Sequence, residues 1–312
     1  ISLQPVEFVK IGISLMLASY VGNAEFNIKE RKSLLFSLGL LAVPGALVLL
    51  QPDVGSLMVF MAFFIALYRE GLSGWLFVTG FLVVGIFLVS LVVSPVYVVG
   101  ACVGLAVLTV YFTRKSWNIA SMAVLAVVLV LISGLSFGAP KVMEKLPKHQ
   151  RERIEVLFKG EKAFRKTAGY NLLYSKTAIG SGGLLGKGYQ EGSVTQGHFV
   201  PEQRTDYIFC TVGEEWGFVG STVLVLFYAI YIGRIYFLAE RQKNTFGRVF
   251  GYCFASILLM HFSINIGMVM GLFPTVGIPL PYFSYGGSSL LAFSTMTAIF
   301  FKLNSQDKES LI

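Results

Sequence analysis

Charge is what this chain has least of. Only 13% of its 312 residues are charged, against about 25% in an ordinary soluble domain. Asp occurs just three times, as Asp53, Asp206 and Asp307. With 55% hydrophobic residues and a mean hydropathy of +0.71, that deficit excludes a soluble enzyme, a disordered protein and a nucleic-acid-binding domain. Cysteine is scarce too. Cys102, Cys210 and Cys253 lie in or beside apolar runs, and their spacing suits no metal; they read as small apolar residues inside a membrane. No internal repeat and no low-complexity segment is present. No charged region precedes an apolar run after Ile1, so no signal peptide is expected at this end.

Long apolar runs are abundant instead. A membrane span needs about 20 mostly apolar residues, and nine candidates occur: 6–22, 34–50, 54–68, 74–93, 95–113, 118–138, 207–232, 249–273 and 286–302. The third is short enough to be tilted or broken. One long polar segment, 139–206, separates the sixth from the seventh. The expected fold is an all-α polytopic bundle in three stretches: spans one to six in 1–138, a large loop in 139–206, and spans seven to nine with a tail in 207–312.

The net charge of +8 (25 basic minus 17 acidic) is explained by where the bases sit. One set of connections carries Lys29, Arg31, Lys32, Arg69, Arg114, Lys115, Arg234, Arg241, Lys243, Arg248, Lys302 and Lys308. The alternate short connections, around 51–53, 94–96 and 274–285, carry no Lys or Arg. The positive-inside rule puts the first set in the cytoplasm and 139–206 outside; loops longer than about 60 residues translocate largely regardless of charge.

Ionisable groups near membrane depth are costly, so each is a functional candidate. Asp53, in Gln51-Pro52-Asp53-Val54-Gly55, is either the N-cap of the next span or a substrate or ion residue. Glu7 and Lys10, at i and i+3 on one helix face, are either a local ion pair or the polar wall of an outward-facing cavity. Glu214 and Glu215 lie inside the seventh span, about 100° apart around the helix, and read as structural partners of a neighbouring element.

The stretch His198-Phe-Val-Pro201-Glu202-Gln203-Arg204-Thr205-Asp206-Tyr207 leads from the loop into the seventh span. Thr205 or Asp206 is a cap on one reading. On the other, an Asp beside Arg204 and the basic segment Lys141–Lys187 suits proton abstraction next to an anionic substrate. His198, Glu202 and Asp206 are spaced by four, but Pro201 interrupts any helix carrying all three, so no metal site is expected. Ser181–Gly188 mimics a phosphate-binding loop without matching its fixed positions and reads as a turn. Residues 150–159 form a short basic amphipathic helix suited to anionic membrane lipids. In Pro274–Ser289, three prolines and a Gly pair argue for a broken segment lining a cavity, which makes Ser284, Tyr285, Gly286 and Gly287 substrate-contact candidates.

The pieces Gln4-Pro5-Val6-Glu7-Phe8-Val9-Lys10, Gln51–Gly55, Pro201–Phe209 and Gly267–Ser289 together resemble the RodA/FtsW (SEDS) family, from about residue 4 to residue 303. Ser175–Gly188 and Thr245-Phe246-Gly247-Arg248 look more like the RodA branch. The resemblance implies a peptidoglycan glycosyltransferase that polymerises lipid II during cell-wall elongation, in the bacterial cytoplasmic (inner) membrane, beside a class B penicillin-binding protein. It puts the family's essential acidic residue on Asp206 and its polar pair on Glu7 and Lys10. It also implies spans ahead of Glu7 that this chain lacks, and it leaves a surplus pair here, most simply 95–113 and 118–138.

For such chemistry, a sugar hydroxyl attacking an anomeric carbon with a pyrophosphate leaving group, one base and several cations suffice. Asp206 is the expected base. Lys10, Arg204 and Lys187 are expected to stabilise pyrophosphate, Glu7 to hold Lys10, and Glu202 and Asp53 to shape the site. A divalent cation, Mg or Mn, is a further candidate with no ligands assigned. The rival readings are a flippase or transporter of lipid-linked sugars and a non-catalytic scaffold.

Overall fold

The computed structural model describes residues 4–51, 53–113 and 118–309. Pro52, Arg114 and Lys115, invoked above, lie outside the described residues, as do the side chains of Asp307 and Lys308. Among the described residues all regular structure is helical. The elements are α1 (Pro5–Val21), α2 (Arg31–Leu50), α3 (Val54–Phe60), α4 (Ala62–Arg69), α5 (Trp75–Val92), α6 (Pro95–Thr113) and α7 (Ile119–Lys145), then α8 (Lys148–Lys159), α9 (Gly169–Ser181), α10 (Ser193–Gln196), α11 (Ile208–Glu215), α12 (Gly217–Glu240), α13 (Thr245–Met270) and α14 (Gly287–Glu309). Six of them, α2, α5, α6, α7, α12 and α13, are long and apolar enough to cross a membrane. This is the all-α polytopic fold that the apolar runs imply, and each of the nine runs is helical.

Two runs are interrupted. The third splits into α3 and α4 at Met61. The seventh, expected as one helix over 207–232, breaks between α11 and α12. Gly217 sits there at φ +63, and a Cβ on it would collide with Gly186 N. A side chain fits neither the backbone conformation nor the space. The segment 139–206 is less loop-like than its polarity suggests. Helix α7 continues through Pro140 to Lys145, and α8, α9, α10 and a 3-10 turn at Glu161–Phe164 follow.

The chain divides into two compact units, Ile1–Leu72 with Lys159–Ile312, and Ser73–Phe158. In the first, α13 is the central helix, packed by α1, α4 and α12 around the fully buried Phe250, Phe254, Ile257 and Leu258. Asn244 caps its start by accepting from Phe246 N (3.0 Å). Gly271, in the left-handed region at φ +81, ends it, with Leu272 N donating back to Gly267 O (2.7 Å). Near the basic end of this unit, Arg69 binds Glu240 (2.8 and 2.5 Å) and Arg248 binds Glu70 (3.0 and 3.1 Å), each through two hydrogen bonds. In the second unit α7 packs against both α5 and α6, and Ser90 Oγ meets Ser136 Oγ at 2.7 Å. Helix α8 there is the expected basic helix, with Arg151 paired to Glu155 (2.6 Å).

Candidate active site

The site forms where four sequence-distant segments meet at the C-terminal half of α13. The first is the second turn of α1. Lys10 Nζ lies 2.7 Å from Glu7 Oε1, and each residue is 2% exposed. The local ion pair is therefore present, and it is enclosed. Lys10 also lies 2.7 Å from His261 Nε2 and 5.7 Å from the Phe293 ring centroid. His261 Nδ1 is 3.1 Å from the Pro279 carbonyl oxygen, and its ring stands edge-on to Phe293 at 5.0 Å.

One turn further along α13, Asn265 donates to the carbonyl oxygens of Asp206 (2.8 Å) and Ile278 (2.7 Å). This ties the entry to α11 onto the irregular segment before α14. A Cβ on Gly277 would lie 3.1 Å from Asp206 Oδ2, so the Asp206 carboxylate rests against that glycine. Tyr285 N donates to Arg204 O (2.9 Å) and Ser284 Oγ to Thr205 O (2.6 Å), while Ser284 Oγ accepts from Leu280 N (2.8 Å). Arg204, Asp206, Ser284 and Tyr285, singled out separately in the sequence, are thus brought together. Glu202 accepts from Thr205 Oγ1 (3.0 Å). With His198, Gln203, Arg204 and Tyr285 it lines a pocket of about 350 Å³. Gly286 and Gly287 open α14, where Leu290 N donates to Gly286 O (2.9 Å) and Ser288 Oγ accepts from Gln4 N (3.0 Å). This last bond joins the starts of α14 and α1.

Asp53 caps α3: its Oδ1 accepts from Ser56 N (3.0 Å) and its Oδ2 from Ser56 Oγ (2.6 Å). Gly55 follows it, and a Cβ there would meet Ile278 Cδ1 at 3.0 Å. The cap thereby sets the irregular segment against α3.

Lys187 points elsewhere. Its ammonium binds Glu214 Oε1 (2.7 Å) and Ser193 Oγ (2.9 Å). Glu214, fully buried, also accepts from Val194 N (3.0 Å) and Thr195 N (2.8 Å). Burial opposes its charge, and the hydrogen bonds from Lys187, Val194 and Thr195 offset that cost. The eight-residue α11 that carries it is too short to cross a bilayer. The glycine-rich Ser181–Gly188 stretch is likewise internal. Lys187 N and Gly188 N donate to Glu214 O and Glu215 O (3.0 Å each), while Gly183 O and Leu184 O accept from Phe218 N and Val219 N in the first turn of α12 (2.9 and 3.1 Å). Its N–H groups serve the fold, as the turn reading requires.

Sequence reasoning missed His261 and Asn265. Both are fully buried, and the signal was available: two polar side chains one helical turn apart inside an apolar span. Of the three residues spaced by four, His198 and Glu202 line the pocket at the end of the loop, whereas the Asp206 carboxylate lies against Gly277.

Known proteins resemble this chain over nearly all of its length. The peptidoglycan glycosyltransferase MrdB of Escherichia coli (strain K12) is 32% identical over 306 residues, covering 98% of this chain and 69% of that protein. The peptidoglycan glycosyltransferase RodA of Treponema pallidum (strain Nichols) is 28% identical over 330 residues, covering 97% and 75%. Among solved structures, a chain from a peptidoglycan synthase complex has the same fold, with a TM-score of 0.65 at 24% identity over 98% of this chain and 71% of that one. The FTSW_RODA_SPOVE family model, described as cell cycle protein, matches residues 1–101 and 98–309. This chain belongs to that family.

Proposed function

We propose that this chain is a peptidoglycan glycosyltransferase that polymerises lipid II into glycan strands, and that its chemistry sits at the outer end of α13. The observation that carries this is the convergence there of the Asp206 backbone and the buried Glu7–Lys10 pair on two residues of one helix face, Asn265 and His261. An acceptor sugar hydroxyl gives its proton to the Asp206 carboxylate as its oxygen attacks the anomeric carbon of the donor. The bond from that carbon to the pyrophosphate oxygen breaks, and the lipid pyrophosphate leaves with the electron pair. A β-linked product from an α-linked donor follows by inversion. General-base catalysis of this kind is worth about 10²–10⁴-fold.

Lys10 and Arg204 supply positive charge where pyrophosphate charge develops. Glu7 orients Lys10. Glu202, Ser284, Tyr285, Gly286 and Gly287 shape the acceptor side, and Asp53 does so from a distance by capping α3. Lys187 acts through Glu214, holding the loop to α11. Lys10 and Arg204 are the cations that the chain itself supplies for this role, and a divalent cation, Mg or Mn, would add to them.

The same reading puts the chain in the bacterial cytoplasmic membrane, with its basic connections in the cytoplasm and 139–206 outside. A class B penicillin-binding protein would crosslink the product during elongation, and anionic lipid would contact α8.

The test is glycan synthesis from labelled lipid II, with and without the penicillin-binding partner, beside Asp206→Asn. Long glycan from the wild type and a loss of about 10²-fold or more in the variant supports the reading. Equal product from both moves the base elsewhere. Lipid movement between leaflets without glycan would make the chain a flippase, and partner binding without either activity would make it a scaffold.

A further inference from the structure

Lys10 is held by two partners from different helices, and they are not equivalent. Glu7 sits one turn away on the same helix, so it moves with Lys10 and fixes it only relative to α1. His261 belongs to α13, 251 positions away in sequence, and its Nε2 lies 2.7 Å from the ammonium. The ring's protonation follows from its partners. The Pro279 carbonyl can only accept, so Nδ1, 3.1 Å away, carries the hydrogen. That leaves the Nε2 lone pair as the acceptor for one N–H of the Lys10 ammonium. Glu7 Oε1 accepts a second N–H at 2.7 Å. The Phe293 ring, 5.7 Å from Nζ and edge-on to His261, closes the side between them.

The next turn of the same helix face carries Asn265, which holds the Asp206 carbonyl and, through Ile278, the irregular segment on which the Asp206 carboxylate rests. His261 holds that segment too, at Pro279. One rigid stretch of helix therefore fixes the spacing between the cationic side chain and the backbone of the acidic one.

We infer that His261 is a positioning residue for the glycosyl transfer: through a neutral imidazole it aims the Lys10 ammonium, with one N–H left to offer, at the pyrophosphate leaving group, in register with Asp206. The inference rests on the glycosyltransferase reading and adds to it a residue outside the motifs that carry the family resemblance. A group acting this way affects the rate of the chemical step more than substrate capture, because it sets where charge stands in the transition state.

The experiment uses the full chain with its partner in lipid vesicles, labelled lipid II as substrate, and three variants. His261→Leu removes both hydrogen bonds at similar volume. His261→Gln keeps an acceptor long enough for Lys10 and an N–H for Pro279. His261→Asn keeps the polarity but is too short to reach Lys10. The expected result is a fall in kcat of about 10- to 100-fold for Leu and Asn, the scale of an ångström-sized misplacement. KM changes little, and Gln recovers most of the rate. A merely structural role would not separate Gln from Asn, nor kcat from KM. Wild-type kcat in His261→Leu, or equal losses in Gln and Asn, overturns the inference. Should His261→Leu fail to fold, the Gln and Asn pair decides alone. A wild type that makes no glycan overturns the glycosyltransferase reading and this role with it, whereas an active wild type with indifferent His261 variants overturns only the role of His261.

Discussion

Helix α13 and the trio α5, α6 and α7 are all apolar enough to span a membrane, yet 72% of the apolar 18-residue stretch of α13 is buried, against 6%, 11% and 6% of the corresponding stretches of the other three. Hydrophobicity does not make that difference, because lipid tails are as apolar as a protein interior and give helices no reason to associate. Small and polar residues do. A Cβ on Gly251 of α13 would stand 2.6 Å from both Ala239 Cβ and Phe300 Cε2, so the glycine is where α12 and α14 come close. Glycines are just as frequent in the trio, at Gly80, Gly85, Gly100, Gly104, Gly134 and Gly138, but a Cβ on any of them would meet nothing within 4 Å. Likewise α13 carries His261 and Asn265 in a hydrogen-bonded network, whereas between α5 and α7 there is the Ser90–Ser136 contact. The first region is built to hold groups in place; the second faces its surroundings.

The largest expected effect follows from breaking the ion pair that α13 encloses. Lys10→Met leaves the Glu7 carboxylate buried opposite His261 with no cation, and removing one partner of a buried pair costs about 3–5 kcal/mol. Thermal unfolding in detergent should report the loss, and glycan synthesis should cease. Adding Glu7→Gln to Lys10→Met should restore much of the stability and none of the synthesis. A double variant as active as the wild type would reduce the pair to a structural feature.

Next in size is the glycine contrast. Gly251→Ala forces Ala239 or Phe300 to move, an overpacking cost of about 1–3 kcal/mol, while Gly104→Ala in α6 should be neutral or slightly stabilising, since Ala is the better helix former. The two substitutions are chemically identical, so unfolding in the same detergent compares the two environments directly. Equal effects would mean that α6 is as closely packed as α13.

How much of this was legible in the sequence depends on the range over which each feature is determined. Span positions follow from local composition, and all nine apolar runs are helical. Asp53 as a cap and the Glu7–Lys10 pair are also local, decided within three residues. The contact between Arg204–Thr205 and Ser284–Tyr285 is not local; only the resemblance to a family grouped those segments in advance. The break at Gly217 was hidden because the apolar run continues across it, and the glycine's reason lies 31 positions upstream, at Gly186. Lys187 was assigned to pyrophosphate from its charge, and nothing nearby in the chain reveals that Glu214 occupies it. The roles of His261 and Asn265 are hidden in the same way, because the partners that give these two polar residues a purpose, Lys10 and Asp206, lie in other segments of the chain.

The smallest effect gives the sharpest test of the contrast. Ser136→Ala removes an interhelical hydrogen bond of the α5–α7 unit, with Ser90 Oγ still able to donate to the Ile86 carbonyl (2.7 Å) on its own helix. No donor is left stranded, and interhelical hydrogen bonds in membranes average only about 0.6 kcal/mol. Unfolding should shift barely above measurement error, and glycan synthesis by the purified chain with its partner should be unchanged. If synthesis instead falls while stability holds, α5 and α7 take part in turnover, and sparse packing would then mark a region built to move rather than one that merely faces lipid.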